Sequence, residues 1–194
     1  MDEKVDQLQI RLGKLEKIRA MGTEPYPYSF KQSHSISEVI EQGDALIENQ
    51  QMITIAGRML AVRGKGKASF CNIQAQHKRL QVYVRLDIVG GSTFEMFKLC
   101  DIGDHLGVSG TLMRTNTGEL TLRASKVELL AKSIRPLPIP KVQEKDGQRI
   151  VYDEVKDKEF RYRQRYVDLI LNPHVSEVFR KRAVIFQTIR NYLL

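Results

Sequence analysis

Residues 52–131 contain aromatic, amide, guanidinium and carboxylate side chains that strand alternation turns to a common side. Read in twos, the run KASFCNIQ turns Cys71 and Ile73 inward and therefore Phe70 outward. The same alternation turns Gln81 outward in KRLQVYVRLDI and Glu119 outward in TGELTLRA. A solvated sheet face seldom exposes a phenylalanine beside such groups. The pattern therefore predicts a binding site on the outer face of the strands.

The chemistry of these groups matches that of a nucleobase. An exposed aromatic ring on a strand provides a stacking surface worth about 1–3 kcal/mol per base. Gln81 offers a donor and an acceptor, Arg58 and Arg63 offer donors only, and Glu119 offers an acceptor. A uracil edge presents one N–H between two carbonyls, so it needs an acceptor flanked by donors, and this set supplies both.

A structural interpretation of the same residues stays open at this point. Phe70 could belong to the core, and the charged side chains could pair with one another.

The sequence gives no sign of catalysis: no Ser/His/Asp or Cys/His set is convincingly spaced, so we predict no catalytic residue. GKGKAS lacks the GxxxxGK[ST] spacing of a phosphate loop and lies between strands. We therefore expect no cofactor site here.

Composition favours a polyanionic partner. The 194 residues carry a net charge of +8, and 42% of them are hydrophobic, which is enough for a packed core. Nucleic acid is the first candidate and an anionic membrane the second, although no apolar run is long enough to span a bilayer.

The acidic start MDEKVDQLQ does not resemble a signal peptide. Cys71 and Cys100 match no metal spacing, so we predict buried free thiols, a cytoplasmic protein and no metal site.

The predicted strands must position the outward side chains. Strand one covers Met52–Arg63, and Gly57 in its middle suggests a bulge or bend that lets it serve both sides of a small barrel. Turns are predicted at residues 64–66, 76–78 and 116–118, with a short helix at STFEMFKLC between strands three and four. Three strands, a helix and a two-stranded hairpin are the order of an OB-fold, a five-stranded barrel that binds oligonucleotides.

Flanking segments read mainly as helices. Residues 2–21 are amphipathic with a basic face, which either packs on the domain or touches a phosphate backbone; its basic residues are Lys4, Arg11, Lys14, Lys17 and Arg19. Ser35 and Glu38 predict a capping box for a short helix. SIRPLPIPKV predicts a stiff connector, and EKDGQRIVYDEVKDKE a hairpin or loop. FRYRQRYVDLILN and Ser176–Leu194 predict two helices, the last of which ends without a cap, as in a truncated piece.

Five segments together carry a family resemblance: AGRMLAVRGKGKASF, RLQVYVR, DIGDHLGVSGTLMRTNTGELTL, RPLP and RYRQRYVDLI. The chain resembles lysyl-tRNA synthetases, which are class II aminoacyl-tRNA synthetases, over nearly its whole length. The resemblance implies a mainly β protein with additional helices, in which N-terminal helices precede a five-stranded OB-fold barrel. Helices that begin a class II catalytic domain would follow.

The resemblance also implies domains and roles. Residues 1–140 would be the N-terminal helices and the OB-fold anticodon-binding domain, and residues 141–194 a connector and the truncated start of the catalytic domain, with the helix of the dimer-forming first motif. Phe70 would stack on the central anticodon uridine, Arg63, Gln81 and Glu119 would read its edge, and Arg58 would support them. The basic N-terminal helix would touch the anticodon stem.

Catalysis is expected only of the full-length parent. That enzyme would form a lysyl-adenylate from ATP with Mg²⁺, transfer lysine to its tRNA, and act as a homodimer in the cytoplasm. The family's ATP and lysine motifs would lie beyond Leu194, so this piece is expected to bind a tRNA anticodon loop without catalysing the reaction or holding a cofactor. Two alternatives remain: a fragment of aspartyl- or asparaginyl-tRNA synthetase, and a non-catalytic OB module that binds single strands or another protein.

Overall fold

The computed structural model describes residues 2–64, 66–139, 141–145, 148–152 and 157–194. Parts of three predicted segments lie outside this description: Lys65 of the first turn, Pro140 of the connector, and residues 146–147 and 153–156 of the charged segment. The side chains of residues 2–6, which include Lys4, lie outside it as well. The chain forms two compact units, residues 1–136 and residues 137–194.

The first unit consists of a barrel with helices before it and between its strands. Its helices are α1 (Asp2–Ala20), α2 (Ile36–Glu41), α3 (Gly43–Glu48), α4 (Leu86–Val89) and α5 (Gly91–Leu99). Its strands are β1 (Met52–Arg63), β2 (Ala68–Ala75), β3 (Lys78–Arg85), β4 (His105–Arg114) and β5 (Leu120–Ala131). The predicted order of the barrel strands is confirmed, and Leu86 begins the short helix α4 instead of continuing β3.

The five strands close into a barrel in the order β1-β2-β3-β5-β4, as expected of an OB-fold. All neighbouring pairs are antiparallel except β3 with β5, which pair in parallel through Gln81–Thr121, Val82–Leu122 and Tyr83–Arg123. The barrel is packed with inward aliphatic side chains of all five strands, among them Ile53, Ile73, Val82, Leu106 and Leu122, each fully buried. The fold class inferred from the sequence is therefore confirmed.

Strand β1 pairs with both β4 and β2, as predicted of a strand that closes a small barrel, but the bulge in it does not lie at Gly57. Residues 52–58 pair with β4 and residues 58–63 with β2, and the register shifts between Met59 and Ala61. Gly57 has a different role: a Cβ there would lie 3.0 Å from the carbonyl oxygen of Gln74, so the glycine lets β2 approach closely.

The short segments before the barrel follow local rules. Ser35 and Glu38 form the predicted capping box, in which the Ser35 side chain accepts from the Glu38 N–H and the Glu38 carboxylate accepts from the Ser35 N–H at 2.7 Å. Instead of one short helix there are two, since α2 ends at Glu41 and α3 begins at Gly43. Both cysteines are buried and free, and burial raises the pKa of Cys71 to about 12, so its thiol stays protonated at neutral pH.

Helix α1 uses part of its basic face to pack on the barrel. Arg11 is buried and donates to the carbonyl oxygens of Ser133 at 2.9 Å and Ile102 at 3.1 Å. Lys14 is half-buried and pairs with the Asp101 carboxylate at 2.5 Å. Both side chains are therefore engaged with the protein, which agrees with the first of the two alternatives, a helix that packs on the domain. Among the described basic side chains of that face, Lys17 and Arg19 remain exposed.

A buried polar cluster lies under α1, at the start of β4. The Lys132 ammonium, which is fully buried, lies 2.8 Å from Asp104 and 2.7 Å from Asp101. Asp104 also accepts from the N–H groups of Asp101 and Ser133, each at 2.7 Å. Burial alone would raise the pKa of Asp101, but hydrogen bonds from Lys132 and Lys14 outweigh it and hold that pKa below its ordinary value. The cluster thus joins α1, β4 and the end of β5 through charge-assisted hydrogen bonds.

The second unit contains a hairpin and three helices. The hairpin is formed by β6 (Lys141–Lys145) and β7 (Gln148–Tyr152), and the helices are α6 (Lys158–Arg163), α7 (Arg165–Leu171) and α8 (Pro173–Leu193). Within RYRQRYVDLI, the buried Asp168 carboxylate accepts from Arg161 at 2.8 Å and from Asn172 at 2.7 Å, and it also pairs with Arg165. Pro173 starts α8 in the first helical turn, where a missing N–H costs nothing. No helix of the described residues is long and apolar enough to cross a membrane.

Gly110 tests the close packing of β4 against β5. A Cβ at this position would lie 2.0 Å from the carbonyl oxygen of Arg123, which is backbone and cannot rotate away. We expect Gly110→Ala to lower the free energy of unfolding by about 3 kcal/mol, measured by urea denaturation followed by circular dichroism. Gly13→Ala in α1 is the control, since nothing lies within 4 Å of its Cβ, and it should stabilise by about 0.5–1 kcal/mol. Equal stabilities of the two variants would contradict the packing described.

Substitution of Asp101 tests the buried cluster, because its effect on the free energy of unfolding should depend on pH. Because its pKa is lowered in the folded state, its charge contributes stability that is present above the unfolded pKa of about 4 and is lost as the pH falls through the folded value. Asp101→Asn should therefore cost about 1–3 kcal/mol at pH 7, and the gap from wild type should shrink toward pH 3. Glu95→Gln, which removes an exposed pair with Lys98, should cost at most about 1 kcal/mol. A gap for Asp101→Asn that stays constant with pH would rule out this role.

Candidate functional site

A cleft of about 650 Å³ lies on the outer face of the barrel, between the first three strands and the β4–β5 hairpin. Four of the five side chains expected to form the site line it: Arg63, Phe70, Gln81 and Glu119. It is also lined by residues that the sequence analysis did not single out, namely Tyr83, Met113, Arg114, Thr115, Asn116 and Thr117. The structure thus brings together side chains from four separate segments of the chain.

The register shift in β1 turns the Arg63 side chain to the outer face of the barrel, where the cleft lies. From Ile53 to Met59 the odd-numbered residues of β1 are buried, and simple alternation would turn Arg63 inward as well. One extra residue between Met59 and Ala61 reverses the alternation, so that Arg63 lies opposite Phe70 on β2. Paired residues of neighbouring strands place their side chains on the same face of a sheet.

Two aromatic rings form the floor of the cleft. Phe70 lies opposite Tyr83 on β3, and their rings stack with centroids 4.6 Å apart and planes inclined by 27°. Both side chains are half-buried, so neither ring belongs to the closed core. The stack holds the Phe70 ring in one orientation. Tyr83 could have been found from the sequence, because it alternates outward two residues after Gln81.

A chain of side-chain hydrogen bonds runs beside the rings. The Thr121 hydroxyl donates to Gln81 Oε1 at 2.8 Å, and Gln81 Nε2 donates to Glu119 Oε2 at 2.7 Å. Thr121 is fully buried and Gln81 is 6% exposed, although both belong to the outward side of their strands. The Gln81 amide is therefore already engaged at both ends, and each end keeps one further hydrogen-bonding position.

The β4–β5 hairpin forms the remaining wall of the cleft. Arg114 pairs with Asp44 of α3 at 2.5 Å and donates to the carbonyl oxygen of Gly118 at 3.3 Å. The hydroxyl of Thr115 accepts from the Glu119 backbone N–H at 3.1 Å, which fixes the backbone of Glu119 at the end of the hairpin turn. Arg114 and Arg63 give this part of the cleft its positive charge.

Arg58 is the expected site residue that the structure does not bring to the cleft. It lies before the register shift in β1, where it is paired with Gln74 on one side and His105 on the other. Its guanidinium donates to the carbonyl oxygen of Gly103 at 2.8 Å, and burial lowers the pKa of Arg58 from its ordinary value. The structure therefore does not place the Arg58 guanidinium with the other four side chains, because a tertiary contact with the loop before β4 holds it.

The arrangement can bind a planar, hydrogen-bonding ligand. A stacked pair of rings, a fixed amide–carboxylate pair and two guanidinium groups offer stacking, edge recognition and attraction for phosphate. Among the described residues, no group of three or more His, Cys, Asp or Glu is placed to hold a metal ion.

The chain is similar to one family model and to several curated proteins. Residues 53–130 match the tRNA anti-codon family, an OB-fold nucleic acid binding domain. The chain is similar to lysine–tRNA ligase of Bacillus subtilis, with 43% identity over 99% of the chain and 37% of that protein. Lysine–tRNA ligase of Moorella thermoacetica is 44% identical over 97% of the chain and 36% of its own length. The corresponding protein of Enterococcus faecalis is 41% identical over 97% of the chain and 36% of its length. The chain thus spans little more than a third of the length of these relatives.

Proposed function

We propose that this chain, a homologue of lysine–tRNA ligases along nearly its whole length, recognises the anticodon loop of a lysine tRNA through the cleft on its OB-fold barrel. The observation that carries the proposal is the position of the Phe70–Tyr83 stack beside the Gln81–Glu119 pair in one open cleft. A splayed base needs a ring to stack on and groups that contact its edge, and both lie within this site.

A uridine matches the hydrogen-bonding groups of the cleft. Its N3–H needs an acceptor, which Glu119 provides, and the flanking carbonyls need donors, which Gln81 and Arg63 provide. Cytosine presents the reverse pattern, with an acceptor at N3 and a donor at N4, and would meet the wrong partners. We therefore assign the cleft to the central uridine of the anticodon, with Phe70 as its stacking partner.

Cations around the cleft provide the attraction for the RNA backbone. Arg63 and Arg114 line the site, and Arg123 is exposed on β5 opposite Tyr83. These side chains belong to a chain whose net charge is +8. Binding should accordingly weaken as the salt concentration rises.

The activity of the whole protein is part of the proposal. We place this chain in a longer lysine–tRNA ligase that uses ATP and Mg²⁺ to attach lysine to tRNA, that acts as a homodimer, and that works in the cytoplasm, where free thiols such as Cys71 and Cys100 persist. Residues 1–140 would be its anticodon-binding domain, and residues 141–194 a connector and the start of its catalytic domain.

Base preference tests the proposal directly. A lysine anticodon stem-loop should bind the 194-residue chain more tightly than the same stem-loop with the central U changed to C, by about 1–3 kcal/mol. Fluorescence anisotropy at one fixed salt concentration measures both affinities. Equal affinity for the two loops would make the chain a general single-strand binder, and the absence of binding would favour a barrel used for protein contact.

Phe70→Ala tests the stacking role. Removing the ring should weaken binding of the U-containing stem-loop by about 1–3 kcal/mol, because the base loses its stacking surface. Tyr28→Ala is a matched control, since Tyr28 is a fully exposed aromatic residue outside the lining of the cleft. Anisotropy titrations of both variants, after circular dichroism has verified their folding, should show a loss only for Phe70→Ala. Equal losses would refute a specific stacking site.

A further inference from the structure

We propose that Thr121 is a positioning residue that determines which base edge the cleft accepts, by fixing the orientation of the Gln81 amide without touching the RNA. This inference rests on the proposed function and extends it to a residue outside the cleft lining. The relevant contacts are the two consecutive hydrogen bonds that join Thr121 to Gln81 and Gln81 to Glu119.

The direction of these hydrogen bonds follows from their chemistry. An ionised carboxylate only accepts hydrogen bonds, so Gln81 must turn its NH₂ group toward Glu119, where the distance is 2.7 Å. The amide oxygen then faces Thr121, and only a hydroxyl proton from Thr121 can satisfy that 2.8 Å contact. The flipped amide would place an NH₂ group against Thr121 and an oxygen against a carboxylate, which is repulsive.

The pairing of strands makes this geometry rigid. Gln81 and Thr121 are direct partners in the parallel β3–β5 ladder, so the backbone sets the separation of their side chains. Thr121 is fully buried and does not line the cleft, whereas Gln81 and Glu119 do. Its hydroxyl also lies 3.2 Å from the carbonyl oxygen of Glu119, which keeps the hydroxyl close to the hairpin backbone. Thr121 therefore acts on the ligand only through Gln81.

A fixed amide distinguishes uridine from cytidine. The free hydrogen on Nε2 is held toward a uridine carbonyl, beside the N3–H that Glu119 accepts. Cytidine carries an amino donor where uridine has O4 and an acceptor where uridine has N3–H, so the fixed amide would meet the wrong group. Without the Thr121 hydroxyl, Oε1 loses its donor and the amide can rotate away from Glu119. Base preference should then fall more than overall affinity, because stacking and phosphate attraction are unchanged.

Thr121→Val provides the test, since it replaces the hydroxyl by a methyl group of similar size. The wild-type chain should prefer the U-containing stem-loop by roughly tenfold or more. Thr121→Val should reduce that preference to about threefold or less, and Thr121→Ser, which retains the hydroxyl, should restore it. Thr54→Val is the control, because Thr54 is a half-buried threonine on the same barrel that pairs with Ser109 at 2.9 Å, away from the cleft.

The outcomes separate this inference from the proposed function. If the wild-type chain shows no preference between the two loops, the proposed function fails. If wild type shows the preference and a folded Thr121→Val retains it, the role of Thr121 is overturned. Should the valine methyl group prevent folding, Thr121→Ala removes the hydroxyl without placing a methyl group against Oε1, and the same loss of preference is expected. Retained preference in a folded Thr121→Ala would overturn the inference equally.

Discussion

The parallel pairing of β3 with β5 is the contact on which both the barrel and the cleft depend. Without it, each strand would expose a row of unpaired N–H and C=O groups. The pairing extends over only three residue pairs, yet it brings Gln81 beside Thr121 and Tyr83 beside Arg123. The hydrogen-bonded chain to Glu119 therefore exists because the barrel closes at this seam.

The opposite end of the barrel is held by charges that are not available to a ligand. Lys132 is buried between Asp101 and Asp104, and Lys14 of α1 pairs with Asp101 from outside. Removing one partner from such a cluster leaves a buried charge unpaired, which is costly. The consequence is a division of the positive charge: one part fastens the helix to the barrel, and another part, including Arg63 and Arg114, lines the open cleft.

Much of the site could be predicted from local patterns because the side-chain period of a strand is fixed. Alternation alone placed Phe70 and Gln81 on the outer face, and both line the cleft. Alternation failed where the strand departs from it, since the register shift in β1 sends Arg63 to the cleft. Arg58 precedes the shift and is held by the carbonyl oxygen of Gly103. The importance of Thr121 could not be read from the sequence, because its hydroxyl acts through a partner that only barrel closure supplies.

The sequence by itself determined the order of the barrel strands, the capping box at Ser35, the outward faces of Phe70 and Gln81, and the positive charge that favours a polyanion. These features depend on backbone periods and side-chain chemistry that act over a few residues. Only the tertiary structure decided which basic residues remain open to a ligand and in which direction the Gln81 amide points. Both depend on contacts between segments far apart in the chain, such as Arg11 with Ser133, and no local pattern encodes them.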